Sequence, residues 1–292
     1  MEIRQLEYFQ MTCRLNSISK AAEQLHVAQP SVSIAIQKLE EELGVQLFRR
    51  TQRQITLTSE GLIFLNRVNI ILTQIGDSIN EMNDLRLFPK GSIKIGIPPM
   101  IGIFLFPQIF AQFRKQYPHI ELTAVEGGSL SIQSFVEQGR IDIGIITQSD
   151  SSAILETLPI TTGQIHACLP HSHPLSSLPS IPFNKLSDQP FVLPNEDTYN
   201  RHIILEECKR HHFNPQIVFS SSQVETIINL VELEIGISFL FDAIAKKYSN
   251  IYSCPLSDPI KFQIVLAWNR NRYLTNASKA FIDFMTSTHL NQ

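Results

Sequence analysis

Ala28-Gln29-Pro30-Ser31-Val32-Ser33-Ile34-Ala35-Ile36-Gln37-Lys38-Leu39-Glu40-Glu41-Glu42-Leu43-Gly44 carries two opposed faces on one helix. Val32, Ala35, Ile36, Leu39 and Leu43 recur at spacings of three and four, so a helix from about Ser31 to Leu43 turns one apolar stripe to a core. Opposite them stand Gln29, Pro30, Ser33, Ile34, Gln37 and Lys38. Most are short or amide side chains that reach base edges and phosphates without filling a DNA groove. Pro30 suits a helix start, where its missing N–H would be unpaired anyway. Gly44 suits a left-handed cap at the other end.

Upstream, Leu6, Phe9 and Cys13 recur at helical spacing until Asn16-Ser17-Ile18-Ser19 interrupts them, so a first helix ends near Leu15. A short second helix starts at Ser19, where Ala21 and Ala22 allow close approach, and His26 to Pro30 forms the turn. Downstream, Leu47 and Phe48 add core, and Arg49, Arg50 and Arg53 precede the alternating Ile55-Thr56-Leu57-Thr58. That order predicts a basic hairpin wing able to neutralise phosphates or enter a narrow minor groove. The residues expected to meet double-stranded DNA are Ser19, Gln29, Pro30, Ser31, Ser33, Gln37, Lys38, Arg50 and Arg53. Charge totals add nothing: the net charge is −3, and in residues 1–60 the basic and acidic side chains balance. The DNA reading therefore rests on arrangement.

Five fragments strengthen it: Ser19-Lys-Ala-Ala-Glu-Gln-Leu25, Ala28-Gln-Pro-Ser-Val-Ser33, Ile36-Gln-Lys-Leu-Glu-Glu-Glu-Leu-Gly44, Leu47-Phe-Arg-Arg50 and Leu57-Thr-Ser-Glu-Gly61. In this order and with these gaps they closely resemble the DNA-binding domain of LysR-type transcriptional regulators. The resemblance implies a winged helix-turn-helix over residues 1–58, a linker helix over 59–88 that pairs two copies, commonly within tetramers that bend DNA, and an effector-binding domain over 89–292.

The residues of the linker carry a reading of their own. From Thr58, a credible N-cap, to Phe88 there is no proline. Leu65, Val68, Leu72, Ile75, Ile79 and Met82 form heptad a and d positions, a seam that ends at Arg86. An exposed stripe of this length predicts a homodimer, the alternative being that it packs on the same chain's globular module.

Beyond Gly91 short apolar strands alternate with helical patterns, the mark of βαβ units. Strands are expected at 93–97, 120–125, 141–146, 164–169, 191–193, 217–219, 235–239 and 262–267, and a last helix from about Asn276. They make two α/β lobes, one of residues 91–161 and 266–292 and the other of 162–265, with a cleft for a small-molecule effector at strand ends. The expected contacts are Pro98, Pro99, Met100, Gly128, Ser129, Thr147, Tyr199, Asn200, Arg201 and Phe239. Helix starts at Ser129 and near Asn200, with Arg201 as a bidentate fork, favour a small organic acid. This region also resembles the family's effector domain, itself similar to periplasmic solute-binding proteins, most clearly in Gln138-Gly-Arg-Ile-Asp-Ile-Gly-Ile145 and Leu169-Pro-His-Ser-His-Pro-Leu175. Many members carry a Ser or Thr hydroxyl after the first sensor strand; Pro98-Pro99-Met100 stands there in this sequence, which removes a hydrogen-bond donor.

Other functions find less support. His171 and His173, or His211 and His212, have no cysteine or carboxylate at a recognised metal-ligand spacing, so neither metal nor cofactor is expected. No G-x-S-x-G, P-loop or G-x-G-x-x-G points to an enzyme. Cys13, Cys168, Cys208 and Cys254 are too scattered for a peroxide-sensing pair close together in the second lobe. A solute-binding transport protein would need export. The charged N-terminus and the lack of long apolar runs instead predict a cytoplasmic protein without membrane contact.

Overall fold

A computed structural model describes residues 1–50, 55–85, 91–148 and 152–289, without the side chains of Arg50, Thr288 and His289. It divides into two compact units, Met1–Arg86 and Leu87–Gln292.

The first unit contains α1 (Ile3–Leu15), α2 (Ile18–Gln24), α3 (Gln29–Leu43), an antiparallel hairpin of β1 (Phe48–Arg50) and β2 (Ile55–Leu57), and α4 (Ser59–Asp84). Asn16 ends α1 at φ 48°, and the Ser17 side chain accepts from the Lys20 N–H to start α2. Helix α3 begins two residues before the sequence expectation because Pro30 fits its first turn. Gly44 closes it at φ 67°, donating to the Glu40 carbonyl. Val32, Ile36 and Leu39 join Leu6, Phe9, Leu47, Phe48 and Val68 in one core, with the Phe9 ring between those of Phe48 and Phe64. Leu43 departs from the expected stripe and stays 38% exposed beside the helix end. Glu40 is buried, and its Oε1 accepts from the Leu47 and Phe48 amides at 2.8 and 3.1 Å, fixing the entry to the wing. Gly61 leaves room for the wing, since a β carbon there would collide with the Leu47 carbonyl.

The expected heptad seam of α4 divides in two. Val68 is wholly buried, and Leu65 and Leu72 pack against the same core, because the first half of the helix lies on its own domain, with Gln10 Nε2 donating to Asn69 Oδ1 at 2.7 Å. Ile75 is half-buried, whereas Ile79 and Met82 are 57% and 58% exposed. The helix is described to Asp84, and the expected end of the seam at Arg86 lies outside the described residues.

The second unit runs β3 (Ser92–Ile97), α5 (Pro99–Phe104), α6 (Phe106–Gln116), β4 (Glu121–Glu126), α7 (Ser129–Glu137), β5 (Ile143–Thr147) and β6 (Leu155–Leu169). Then come β7 (Pro190–Pro194), α8 (Tyr199–Arg210), β8 (Gln216–Ser221), α9 (Val224–Glu232), β9 (Ser238–Phe241), α10 (Asp242–Ala245), β10 (Tyr252–Asn269) and α11 (Asn276–His289). A six-stranded sheet has the order β4-β3-β5-β10-β6-β9, and β7 pairs with β8 in parallel. Strand β3 lies parallel to β4 and β5, whereas β10 is antiparallel to β5 and β6. The short strands expected at 164–169 and 262–267 are parts of β6 and β10, 15 and 18 residues long, which pair from Leu155↔Asn269 to Leu169↔Tyr252 and run from one lobe into the other. Parallel βαβ reasoning missed them because an antiparallel pairing between distant segments leaves no local signature.

Candidate functional site

Two surfaces merit attention, one on each unit. On the first, the buried stripe of α3 fixes what its other side presents. Gln29, Pro30, Ser31, Ile34, Gln37 and Lys38 are exposed, Ser33 is half-buried, and Ser19 on α2 is exposed. The Gln37 amide donates to Glu41 Oε1 at 2.9 Å, one turn along the same face. In the wing, Arg49 is exposed and Arg50 pairs through its backbone with Ile55. Arg53 lies outside the described residues.

On the second unit, a cavity of about 930 Å³ opens where the segments after β3, β4 and β5 meet those after β7 and β8. That volume suits a small organic molecule. Pro98, Pro99, Met100, Gly128, Ser129, Thr147, Tyr199 and Asn200 line it, as strand-end reasoning expects. The Ser129 hydroxyl stands 3.4 Å from the Thr147 backbone N–H and hydroxyl.

Arg201 and Phe239 do not line the cavity. Arg201 is 9% exposed, and its Nη1 donates to the Pro194 carbonyl at 3.2 Å and the Ser220 hydroxyl at 2.6 Å, so the guanidinium ties β7 to β8. Its Nη2 lies 3.6 Å from Glu196. It is a packing group and not the expected carboxylate fork. Phe239 packs on Phe183 and Phe191 in the lobe core. The strand continues two residues past the expected end, so Phe241 reaches the cavity.

Also missed were Glu126, Asp197, Glu225, Phe106 and Ile227 on the lining. Strand-end logic extended to β7 and β8 would have pointed to the segments that hold Asp197 and Glu225. Asp197 reaches across the lobes: its Oδ2 accepts from the Gly128 N–H at 2.8 Å, and its carbonyl from the Leu130 N–H at 3.1 Å. Asn200 Nδ2 donates to the Phe239 carbonyl at 2.7 Å, while Oδ1 has no partner among the described residues. A second cavity of about 900 Å³, lined by Gln164, His202, Asp242 and Lys261 among others, borders the long strands β6 and β10 and shares Tyr199 with the strand-end crevice.

The cysteines give no support to peroxide sensing. Cys168 and Cys208 are buried, and burial pushes both thiols up to about 12, far from the thiolate that reacts.

Residues 3–62 match the family described as bacterial regulatory helix-turn-helix protein, lysR family, and residues 88–289 match LysR substrate binding domain. The uncharacterized HTH-type transcriptional regulator YwbI of Bacillus subtilis (strain 168) is 33% identical, covering 98% of this chain and 96% of its own. The structure of a full-length OxyR variant from Pseudomonas aeruginosa superposes with a TM-score of 0.68 at 26% identity, covering 98% of this chain and 94% of its own. Full-length CbnR complexed with its target DNA has a TM-score of 0.66 at 19% identity, covering 99% of this chain and 100% of its own, a likeness of fold.

Proposed function

The chain belongs to the LysR family of transcriptional regulators, and from that premise we propose that it reads a double-stranded operator through α3 and the wing under control of a small molecule held between the lobes. One observation carries the DNA half: α3 buries its apolar stripe and leaves Gln29, Ser31, Gln37 and Lys38 exposed on the other side. Gln29, Ser33 and Gln37 are assigned to base edges, Gln37 after release from Glu41. Ser19, Ser31, Lys38, Arg50 and Arg53 are assigned to the phosphates or the minor groove, and Pro30, which has no N–H, to apolar contact with the DNA. Residues 1–58, 59–88 and 89–292 would act as DNA reader, coupling helix and sensor, with the lobes divided near 161/162 and 265/266. Self-association through α4 brings two readers to one operator, as in a homodimer or a tetramer built from it.

Binding to the operator and to unrelated duplex, measured over a range of salt, tests the reading. Gln29→Ala is expected to cost about 1–3 kcal/mol of discrimination, and Lys38→Ala to reduce the salt slope by about one with little change in specificity. Equal losses on both DNAs for Gln29→Ala would remove its base-reading role.

The effector half rests on the cleft at the strand ends. Among the described residues no helix is long and apolar enough to cross a membrane, and no part of this reading needs a metal, a cofactor or catalysis.

A further inference from the structure

We propose that the cleft selects an amine, a molecule with an apolar body and a protonated nitrogen, in place of the organic acid the sequence favours; the proposal rests on the effector-cleft reading above. Three observations converge on it.

The first is the sign of the lining. Glu126, Asp197 and Glu225 border the cavity, and no lysine, arginine or histidine does so among the described residues. A crevice concentrates the field of its charges, so a cation gains there and an anion is repelled, both by amounts that solvent screens because Glu126 and Glu225 are exposed.

The second is that the helix ends are already answered from within the chain. At α7 the Asp197 carboxylate and carbonyl take the Gly128 and Leu130 N–H groups. At α8 the Thr198 hydroxyl accepts from the Arg201 N–H at 3.3 Å, and α9 carries Glu225 in its first turn. Pro98 and Pro99, at the start of α5, have no N–H to offer. The positive ends of α7 and α8 that would hold a carboxylate are thus partly met by internal acceptors, and that of α9 carries the negative charge of Glu225.

The third is Asn200, a cavity-lining residue that is 2% exposed and whose Oδ1, itself buried, has no partner among the described residues. Its amide nitrogen must face the Phe239 carbonyl, since the flipped amide would oppose two acceptors, and this fixes Oδ1 as the unmatched group. A buried acceptor calls for a donor, which an amine has and a carboxylate lacks. Met100, Phe106, Ile227 and Phe241 supply apolar walls for the rest of the molecule.

The test compares 2-phenylethylamine, phenylacetate and 2-phenylethanol, matched in size, by titration calorimetry on the full chain. The amine is expected to bind at least about tenfold more tightly than the acid, a difference of two or more screened charge pairs. Glu126→Gln combined with Glu225→Gln should narrow that gap to about threefold or less and leave the alcohol unchanged. Gly102→Phe supplies the location control: Gly102 lies on the lining, a β carbon there meets only Ile97 Cγ2 at 3.7 Å, and the variant, once thermal unfolding shows a wild-type-like transition, is expected to lose the amine.

If phenylacetate binds as tightly as the amine and is lost in Gly102→Phe, the cleft reading stands and the amine assignment falls. Absence of amine binding at millimolar concentration, or amine binding indifferent to the paired Gln substitutions, also overturns the assignment. Amine binding that persists in folded Gly102→Phe takes down the cleft reading itself.

Discussion

Gly128 and Asp197, 69 residues apart in sequence, meet where one lobe touches the other. Gly128 has an ordinary φ of −65°, so its conformation does not demand glycine. The demand is for space, because a β carbon would strike the Asp197 carbonyl and carboxyl group. Gly128→Ala is therefore expected to part the clasp and lose two hydrogen bonds between the lobes, a cost of about 1–3 kcal/mol. The corresponding fall in Tm, about 2–12 °C, is read by thermal unfolding. Asp197→Asn keeps an acceptor and should retain most of the wild-type Tm. A Gly128→Ala protein as stable as the wild type would show that the clasp contributes nothing. The sequence made Gly128 legible as a residue at a strand end but not as a contact between lobes, since nothing near it in the chain announces Asp197. Arg201 failed for a related reason: its place at a helix start was readable, but its commitment to Pro194 and Ser220 depends on how β7 and β8 come together.

At the scale of elements, periodicity revealed faces and concealed their partners. The α4 stripe was legible as apolar, yet Val68 covers the core of its own unit while Ile79 and Met82 extend beyond it. The two halves should respond differently to the same chemical change. Val68→Ser, placing a hydroxyl in a fully buried site, is expected to destabilise the DNA-binding unit by about 2–3 kcal/mol. Ile79→Ser combined with Met82→Ser should leave the Tm of that unit nearly unchanged and raise the concentration at which copies dissociate, measured by sedimentation. Unaltered assembly of the double variant would place self-association elsewhere, with Ile63 and Ile70 on the opposite side of α4 the next surface to test. Strands show the same divide. Strands β3 and β5 were readable because both are short and apolar, whereas β10 carries Pro255 and Pro259 and an irregular register between Pro255 and Ile260, so only its final apolar run stood out.

At the scale of the whole molecule, the lobes of the second unit share the paired strands β6 and β10, in which Thr161 and Thr162 stand opposite Ile264 and Gln263. If these strands let the lobes turn, what lies in the cleft, the Asp197 clasp and the edge-on contact of Phe104 with Phe241 together set the relative angle of the lobes. A ligand that favours one angle shifts the populations of the two arrangements by its difference in affinity for them, and by no more. If those arrangements also differ in how tightly they hold an operator, linkage imposes a reciprocal relation: the factor by which ligand changes DNA affinity equals the factor by which DNA changes ligand affinity. With 2-phenylethylamine as ligand, both factors are expected to agree within the range of about 5–150 that typical couplings of 1–3 kcal/mol produce. Calorimetry with and without operator duplex gives one factor, and operator titration with and without amine gives the other. Agreement would establish a shared equilibrium. A changed operator affinity beside an unchanged amine affinity would break the cycle and assign the effect to amine acting on the DNA; two factors of one would leave the cleft occupied but silent, and the proposed sensor would not be coupled to its reader.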